Sequence, residues 1–280
     1  MKIAFEDFLP PALARETTRD TWQDGDGALP ALFISHGAPP LFEDAAWIDE
    51  LSGWADALPA PRGIVIVSAH WEAAPLSLSA PQPSNVVYAF AGVDPRYYRM
   101  RSDTPPADDR ARDVLAALPD DLPVHQHTSR GLDHGAWVPL KVMYPGALIP
   151  VLQISLPTHD PEGLLRLGRH LRSLRERGVL IIGSGFMTHG LPFLTPEMFH
   201  GQSVPGWSRE FDAWAAQALQ HRDLDELAAF RTRAPGLPYA HPTVEHFTPL
   251  FVTLGAADGD IQTPIDGYAF GLSKRSLQVA

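Results

Sequence analysis

Three of the twelve histidines follow apolar runs that are typical of buried strands, and these three have the clearest capacity for chemistry. His36 follows the run 31–35, His70 follows the run 63–69, and His189 follows a third run that starts at residue 179. The carboxyl ends of parallel strands meet at one edge of a sheet, where ligands bind in open α/β folds. Because imidazole binds transition metals and transfers protons near neutral pH, the spacing predicts a metal-binding or catalytic cluster there.

His246 is the best candidate to complete this cluster. The segment 242–255 is predicted to form a helix opened by proline at its first turn, and His246, four residues before Leu250, borders its buried face. Glu245 then points about a hundred degrees away, so only one of the two enters the site and Glu245 is left as a supporting partner. The alternative is a histidine that contacts loop carbonyls at the start of a helix.

A tight polar turn, Asp133-His134-Gly135, comes immediately before an apolar helix. Asp133 is either the N-cap of that helix or part of a site in which His134 donates a proton or positions a substrate. His241 is close in sequence to the cluster and is a candidate for its border. The remaining histidines are expected at exposed positions: His125, His127, His159, His170, His200 and His221.

The elements that must position these residues alternate between strands and helices along the chain. Strands are predicted at 31–35, 63–69, 76–79, 122–126, 148–156, from 179 onward and at 268–279. Helices are predicted at 44–58, 107–118, 161–177, 207–220, 224–230 and 242–255, and another follows the turn 133–135 and reaches Met143. This alternation, without a break in composition, predicts one α/β domain over residues 1–280, with three layers in which helices flank a central, mostly parallel sheet.

Three segments carry weaker patterns. Residues 1–29, with mixed polarity and two consecutive prolines, are expected to form an irregular N-terminal arm, and the alternating strand 76–79 is expected to be half-exposed. The segment 81–106 is rich in Pro, Tyr, Phe and Gly and has no clear period, which is typical of lids and pocket walls. Its candidate wall residues, of which the arginines would suit an anionic substituent, are Phe90, Arg96, Tyr97, Tyr98 and Arg99.

Composition excludes several classes of function. The net charge is −11 and no long basic block occurs, so a nucleic-acid partner is not expected. No signal peptide and no membrane-spanning run is recognisable, which predicts a cytoplasmic protein without a membrane partner. The absence of cysteine excludes disulfides, thiolate catalysis and cysteine-ligated metals, so any transition metal must be held by His, Asp or Glu.

An ordered set of motifs resembles the class III extradiol ring-cleaving dioxygenases of the LigB superfamily, of the 4,5-DOPA dioxygenase type. Each motif alone is weak, but the order is specific, and the set spans residues 31–255. The motifs are Ser35-His36-Gly37-Ala38-Pro39, Ser68-Ala69-His70-Trp71, Asp133-His134-Gly135-Ala136-Trp137, 149–155, Gly183-Ser184-Gly185 with Thr188-His189, and His241-Pro242-Thr243 with Glu245-His246.

The resemblance implies one mononuclear divalent metal bound by His36, His70 and His246, a three-histidine variation on the facial ligand set of non-heme iron oxygenases. It implies that His189 is the acid/base, near enough to the metal to be a fourth ligand without substrate, and that His134 positions substrate or O₂. Fe(II) is the metal expected for activity, although zinc can occupy the same ligands. The implied substrates are a catechol, DOPA-like or other, and O₂.

Two positions depart from the family pattern, and two other functions remain open. Gly190 stands where the family often has asparagine and Val244 where it often has proline, so the choice of catechol is not implied. A zinc-dependent hydrolase could use the same histidines to activate water, and metal preference would distinguish it. A non-enzymatic metal-binding relative is the second alternative, and the presence of both His134 and His189 argues against it.

Overall fold

An eight-stranded sheet forms the centre of the structure, a computed structural model that describes residues 3–280. The strands of the chain are β1 (Ala31–Ser35), β2 (Gly63–Glu72), β3 (Leu76–Leu78), β4 (Val124–Gln126), β5 (Val151–Leu156), β6 (Val179–Gly185), β7 (Ile261–Ile265), β8 (Tyr268–Ala269), β9 (Leu272–Ser273) and β10 (Ser276–Val279). The order across the sheet is β4-β3-β5-β2-β6-β1-β10-β7, and β8 pairs with β9 separately.

The middle of the sheet is parallel. Strands β5, β2, β6 and β1 run in one direction, while β10 and β7 add an antiparallel edge and β3 pairs antiparallel with β5. In register, Ser184 of β6 lies opposite Ile34 of β1 and Ser68 of β2. The three strands that precede the histidine cluster are therefore neighbours, and their carboxyl ends are level to within a few residues. The predicted mostly parallel sheet is confirmed.

Helices cover both faces of this sheet. They are α1 (Ala4–Glu16), α2 (Ala45–Asp56), α3 (Asp108–Ala117), α4 (His134–Met143), α5 (Pro161–Leu171), α6 (Pro196–Phe199), α7 (Gly206–Gln220), α8 (Leu224–Ala228), α9 (Phe230–Arg233), α10 (Leu237–Ala240) and α11 (Pro249–Ala256). Alternate residues of β2 point to opposite faces: Ile64 and Ile66 pack on the side of α2 and α4, whereas Val65 and Val67 pack on the side of α5 and α11. This arrangement confirms the three-layer α/β domain.

The expectation of an irregular arm over residues 1–29 is wrong for its first half. Residues Ala4–Glu16 form a helix although Pro10 and Pro11 lie inside it. The helix is stabilised by tertiary packing, since Phe5 is buried with its ring centroid 4.7 Å from that of Phe42. Burial of apolar side chains such as Phe5 offsets the cost of proline inside a helix, which is about 3 kcal/mol.

Two other expectations need correction. The helix predicted at 242–255 begins only at Pro249, so His246 lies on a turn before the helix rather than on its buried face. Both Pro242 and Pro249 suit the first turn of a helix, and the local pattern could not choose between them. Strand β3 is fully buried rather than half-exposed. Its polar residue Ser77 tolerates burial because its backbone N–H donates a hydrogen bond to Ser155 Oγ at 2.9 Å.

None of the helices within residues 3–280 is long and apolar enough to cross a membrane.

The glycines of β6 allow the turn before α11 to lie against the sheet. A Cβ on Gly185 would lie 2.0 Å from the backbone oxygen of His246, far inside contact distance. We therefore expect Gly185→Ala to displace His246 and to lower the free energy of unfolding by about 1–3 kcal/mol, as overpacking does elsewhere. Denaturant unfolding and metal binding would measure both effects.

The matched control for this prediction is Gly53→Ala in α2, because a Cβ there meets no atom within 4 Å. This substitution should leave stability unchanged or slightly higher, since alanine favours the helix. Equal stability of the Gly185 and Gly53 variants would contradict the close approach described for Gly185.

Candidate metal centre and active site

Three histidine side chains converge at the carboxyl edge of the parallel strands. His70 Nε2 lies 3.0 Å from His36 Nε2 and 3.3 Å from His246 Nε2. His36 directly follows β1, His70 lies near the end of β2, and His246 lies on the turn before α11. His36 and His246 are buried, and the side chains of all three could offer ligand nitrogens to one ion.

The spacing of these nitrogens fits a single transition-metal ion. Imidazole nitrogens that bind one ion at about 2.0–2.1 Å must lie about 3 Å apart, which is the separation found here. Burial, with a further contribution from the neighbouring histidines, holds the pKa values of His36 and His246 well below the ordinary value. Both rings are therefore neutral at physiological pH, the form in which imidazole binds a metal.

Ser184 fixes which nitrogen of His36 carries the proton. The Ser184 hydroxyl donates to the backbone oxygen of Gly135, so it can only accept a hydrogen bond from His36 Nδ1, 3.0 Å away. With the proton on Nδ1, the lone pair of His36 lies on Nε2 and faces the other two histidines. Sequence reasoning missed this role of Ser184, although the residue lies within a motif of the resemblance.

Glu245 performs the same task for His246. Its Oε1 lies 2.9 Å from His246 Nδ1 and also accepts a hydrogen bond from the Thr243 hydroxyl at 3.0 Å. A carboxylate accepts the Nδ1 proton, which leaves the lone pair on Nε2 and makes that nitrogen a stronger ligand. The structure therefore places Glu245 where the sequence expected a supporting partner, by a turn geometry rather than a helical one.

His189 lies against the ring of His246. The two imidazoles are stacked, with centroids 3.4 Å apart and planes 10° apart, and His189, Glu245 and His246 could themselves offer ligand atoms to one ion. The backbone N–H of His189 donates to the carbonyl oxygen of Ala240 at 2.7 Å, which fixes the loop after β6. Burial, reinforced by the nearby His241, lowers the pKa of His189 to about 3, so its ring is neutral at physiological pH.

His134 lies on the opposite side of the cluster, as the first residue of α4. Its ring centroid is 3.8 Å from that of His70, and within residues 3–280 its buried Nδ1 has no hydrogen-bond partner. Burial is the main reason why the pKa of His134 is lowered to about 2. A Cβ on Gly135 would lie 2.3 Å from Ser68 Oγ, so glycine permits this close approach of α4 to β2.

Asp133 occupies the N-cap position of α4, but its side chain does not cap the helix. The fully buried carboxylate accepts hydrogen bonds from the Ser68 hydroxyl at 2.7 Å and from the Gln153 side-chain amide. The N-cap interpretation is thus right for the backbone and wrong for the side chain. The carboxylate instead ties α4 to β2 and β5, and its charge opposes the lowering of the pKa of His70 by burial.

The other histidines fall into two groups. His241 is buried with its Nε2 2.9 Å from the backbone oxygen of Met187, so it supports the loop that carries His189. His159 was expected on the surface but bridges two elements, with its Nε2 2.5 Å from Glu72 and its Nδ1 3.1 Å from the Thr248 hydroxyl. The remaining five lie outside the cluster and, within residues 3–280, are not among the grouped ligand candidates: His125, His127, His170, His200 and His221.

Loss of the partners of the histidines should weaken metal binding without removing a ligand. We expect Ser184→Ala and Glu245→Gln each to lower metal affinity about 10–100-fold, because the ring orientation and tautomer are no longer fixed. Competition titrations against a chromophoric chelator would measure this change. Thr243→Val, which removes only the hydroxyl that contacts Glu245, is the matched control and should have a smaller effect; unchanged affinity in the first two variants would contradict the assignment.

The histidines should also make stability depend on pH. The folded-state pKa is below 6.5 for His36, His70, His134, His189, His241 and His246, chiefly because of burial. Below pH 6.5 the unfolded chain therefore binds more protons than the folded chain, and the free energy of unfolding must fall as pH falls. Denaturant titrations of metal-free protein between about pH 8 and pH 5 should show this loss; constant stability would contradict it.

Comparisons with known proteins identify the family of the chain. Residues 32–273 match the family model of the catalytic LigB subunit of aromatic ring-opening dioxygenase. A Beta vulgaris protein named 4,5-DOPA dioxygenase extradiol is 38% identical over 240 residues, which cover 83% of this chain and 88% of that protein. A protein of the same name from Escherichia coli K12 is 32% identical over 267 residues, covering 90% and 94%.

A solved structure gives the same result for the fold. The crystal structure of an uncharacterized protein from Escherichia coli K12 matches with a TM-score of 0.74 at 28% identity, covering 90% of this chain and 100% of that one. The family and the names of the relatives favour ring cleavage over the hydrolase and over the non-enzymatic relative that the sequence left open. The chain belongs to the LigB family and is an extradiol aromatic ring-opening dioxygenase, an oxidoreductase that uses O₂ and a small-molecule substrate.

Proposed function

We infer that the protein cleaves the ring of a catechol with O₂, using one Fe(II) held by the Nε2 atoms of His36, His70 and His246. The observation that carries this proposal is the convergence of three neutral imidazoles whose Nε2 atoms are close enough to bind one ion. Ser184 and Glu245 fix the tautomers of two of these rings. Three histidine ligands leave positions open for a catechol and O₂ together.

The metal and the protein have separate tasks in this proposal. Bound Fe(II) supplies the one-electron chemistry that lets O₂ react with a catechol, which zinc in the same ligands cannot supply. The side chains of the protein hold the substrate, move protons and exclude water. The buried position of His36 and His246 favours metal binding, because protons compete with the metal for imidazole lone pairs and burial keeps these rings neutral.

His189 is the proposed acid/base. Its neutral ring accepts a proton from a catechol hydroxyl as the substrate binds, and the resulting imidazolium returns the proton as the ring opens. The stacking of His189 on His246 supports this role, because it brings the base next to a metal ligand. Among the described residues, His189 shares a group of possible ligand atoms with Glu245 and His246 but not with His36 and His70, so a role as fourth ligand would need its ring to move toward them.

His134 is the proposed positioning residue on the other wall. Its ring packs on His70, and its buried Nδ1 has no partner within the described residues 3–280, so it is available to a substrate or to O₂. An unpaired buried polar atom costs free energy in the free protein, and a substrate oxygen would relieve that cost on binding.

The proposed substrate is a DOPA-like or other catechol. Two relatives carry the name 4,5-DOPA dioxygenase extradiol, which supports DOPA as the first compound to test. Other catechols belong in the test as well, because Gly190, next to the proposed base His189, replaces the asparagine that is frequent in the family. The fold leaves no room for a side chain there, since a Cβ on Gly190 would lie 2.3 Å from the Tyr239 backbone oxygen and 2.6 Å from the Trp207 ring.

The test is a panel of catechols, including DOPA, with metal-free protein that is loaded anaerobically with Fe(II) or with Zn(II). We expect O₂ uptake and a yellow ring-opened product with iron and neither with zinc. Absence of O₂ uptake across the panel with fully iron-loaded protein would contradict the proposed function. Hydrolysis of an added ester or amide by the zinc-loaded protein, with no O₂ uptake by the iron-loaded protein, would point to the hydrolase instead.

A further inference from the structure

Three aromatic side chains from one loop lie beside the histidine cluster. These residues, called here the aromatic wall, are Tyr88, Phe90 and Tyr98, and their ring centroids are 5.0–5.8 Å apart. The Phe90 ring meets the His134 ring edge to face, with centroids 5.4 Å apart and planes at 81°. The wall is thus in direct contact with a residue of the proposed site.

Backbone and side-chain hydrogen bonds fix the wall in place. The Val87 N–H donates to the Leu132 carbonyl at 2.7 Å, and Val87 pairs with Asp133 as an isolated parallel bridge, one residue before His134. The Tyr88 hydroxyl donates to the Met100 carbonyl at 2.7 Å, which ties the two ends of the loop together. The position of the wall relative to α4 is therefore set by the fold rather than by a ligand.

Part of the aromatic wall packs against the core and part of it remains exposed to solvent. Trp137 of α4 is completely buried behind it, with its ring centroid 6.3 Å from those of Tyr88 and Phe90. Phe90 nevertheless remains half-buried, and Tyr98 is 38% exposed. Exposed apolar surface next to a polar site is typical of ligand-binding grooves.

The contacts of the wall also indicate what kind of group it recognises. Arg96, on the same loop, forms an ion pair with Asp94 at 2.9 Å, so its charge is already balanced. The Tyr98 hydroxyl donates to the Phe90 carbonyl at 3.3 Å and the Tyr88 hydroxyl to Met100, which leaves ring faces rather than polar groups for a ligand. Such a surface suits an apolar or aromatic group. Arg99, the second arginine that the sequence indicated, is exposed at the end of the same loop.

We propose that the aromatic wall, through Phe90, binds the ring substituent of the catechol and selects substituted catechols over catechol itself. The inference rests on the proposed function. The order in which the rings are packed gives the reason. The His134 ring centroid lies 3.8 Å from that of His70, and the Phe90 ring centroid lies 5.4 Å from that of His134, so His134 lies between Phe90 and the metal ligand His70. This order of rings places a substituent of the bound catechol, rather than its ring, against Phe90 in the proposal.

The experiment compares 4-propylcatechol with catechol on iron-loaded protein. We expect the unaltered protein to prefer 4-propylcatechol, and Phe90→Ala to lower its kcat/KM for that substrate about ten- to a hundredfold, mainly through KM, with less than about a twofold change for catechol. Phe90→Leu keeps apolar volume and should retain much of the preference. Phe199→Ala, at a 55% exposed phenylalanine of α6, is the matched control and should change neither substrate.

Two results would overturn the inference: no preference for 4-propylcatechol in the unaltered protein, or an equal loss for both substrates in Phe90→Ala. Calorimetric binding of both compounds to zinc-loaded protein separates this inference from the proposed function. If iron-loaded protein turns over neither compound, the proposed function fails. Tighter binding of 4-propylcatechol that depends on Phe90 would still support the wall, and equal binding would refute it.

Discussion

We expect His70→Ala to remove both bound iron and ring-cleaving activity. His70 Nε2 is the central ligand atom, 3.0 Å from His36 Nε2 and 3.3 Å from His246 Nε2. Its loss would leave only two histidine nitrogens to bind the metal. The effect on metal affinity should exceed the roughly 10–100-fold loss that follows removal of a partner of a ligand. Metal analysis after dialysis, together with O₂ uptake, would measure both quantities.

The control for this substitution is His125→Ala, which removes an exposed histidine of β4 outside the cluster. Its iron content and activity should match those of the unaltered protein. Circular dichroism and denaturant unfolding would establish that the His70 variant still folds. Full iron occupancy in a folded His70→Ala protein would refute the ligand assignment.

The second large effect is expected for His189→Gln, which should abolish turnover while it largely spares the metal. Removal of a general acid/base costs typically about 10²–10⁴-fold in rate. Glutamine retains polar character in the stacked position beside His246, but it cannot accept a proton at neutral pH. Steady-state O₂ uptake and metal analysis of the same preparation would separate the two properties.

The pattern of the two variants is more informative than either alone. His189→Gln with iron loss equal to that of His70→Ala would make His189 an obligatory ligand rather than a base. Retained turnover in His189→Gln would assign the proton transfer to another group, of which His134 is the nearest to His70. His125→Gln serves as the matched control for this substitution too.

The sequence was sufficient to predict the strands that carry the cluster. The apolar run 31–35 coincides with β1, because continuous β-branched and apolar residues specify a strand that is buried on both faces. The run 63–69 forms most of β2, but the strand continues through His70 to Glu72, so His70 lies within the strand rather than after it. Parallel topology then required the carboxyl ends of the two strands to meet, and the structure brings His36 and His70 into contact. Here local pattern and topology agree, and little further information was needed.

The surroundings of the histidines could not be predicted in the same way. Ser184 gives no periodic signal, and its role depends on the Gly135 carbonyl, which is distant in sequence and close only in the folded chain. The turn at His246 depends on Gly185, whose lack of a side chain admits the His246 backbone. His159 was expected on the surface for the same reason, since its partners Glu72 and Thr248 belong to two separate segments.

The central claim is that one iron, held by three histidines, supports ring cleavage. Its most direct test is an anaerobic titration of metal-free protein with Fe(II), followed by measurement of catechol-dependent O₂ uptake at each iron-to-protein ratio. The account predicts that activity rises linearly and reaches a plateau at one iron per chain. A plateau at two irons per chain, or no activity at any ratio, would contradict it.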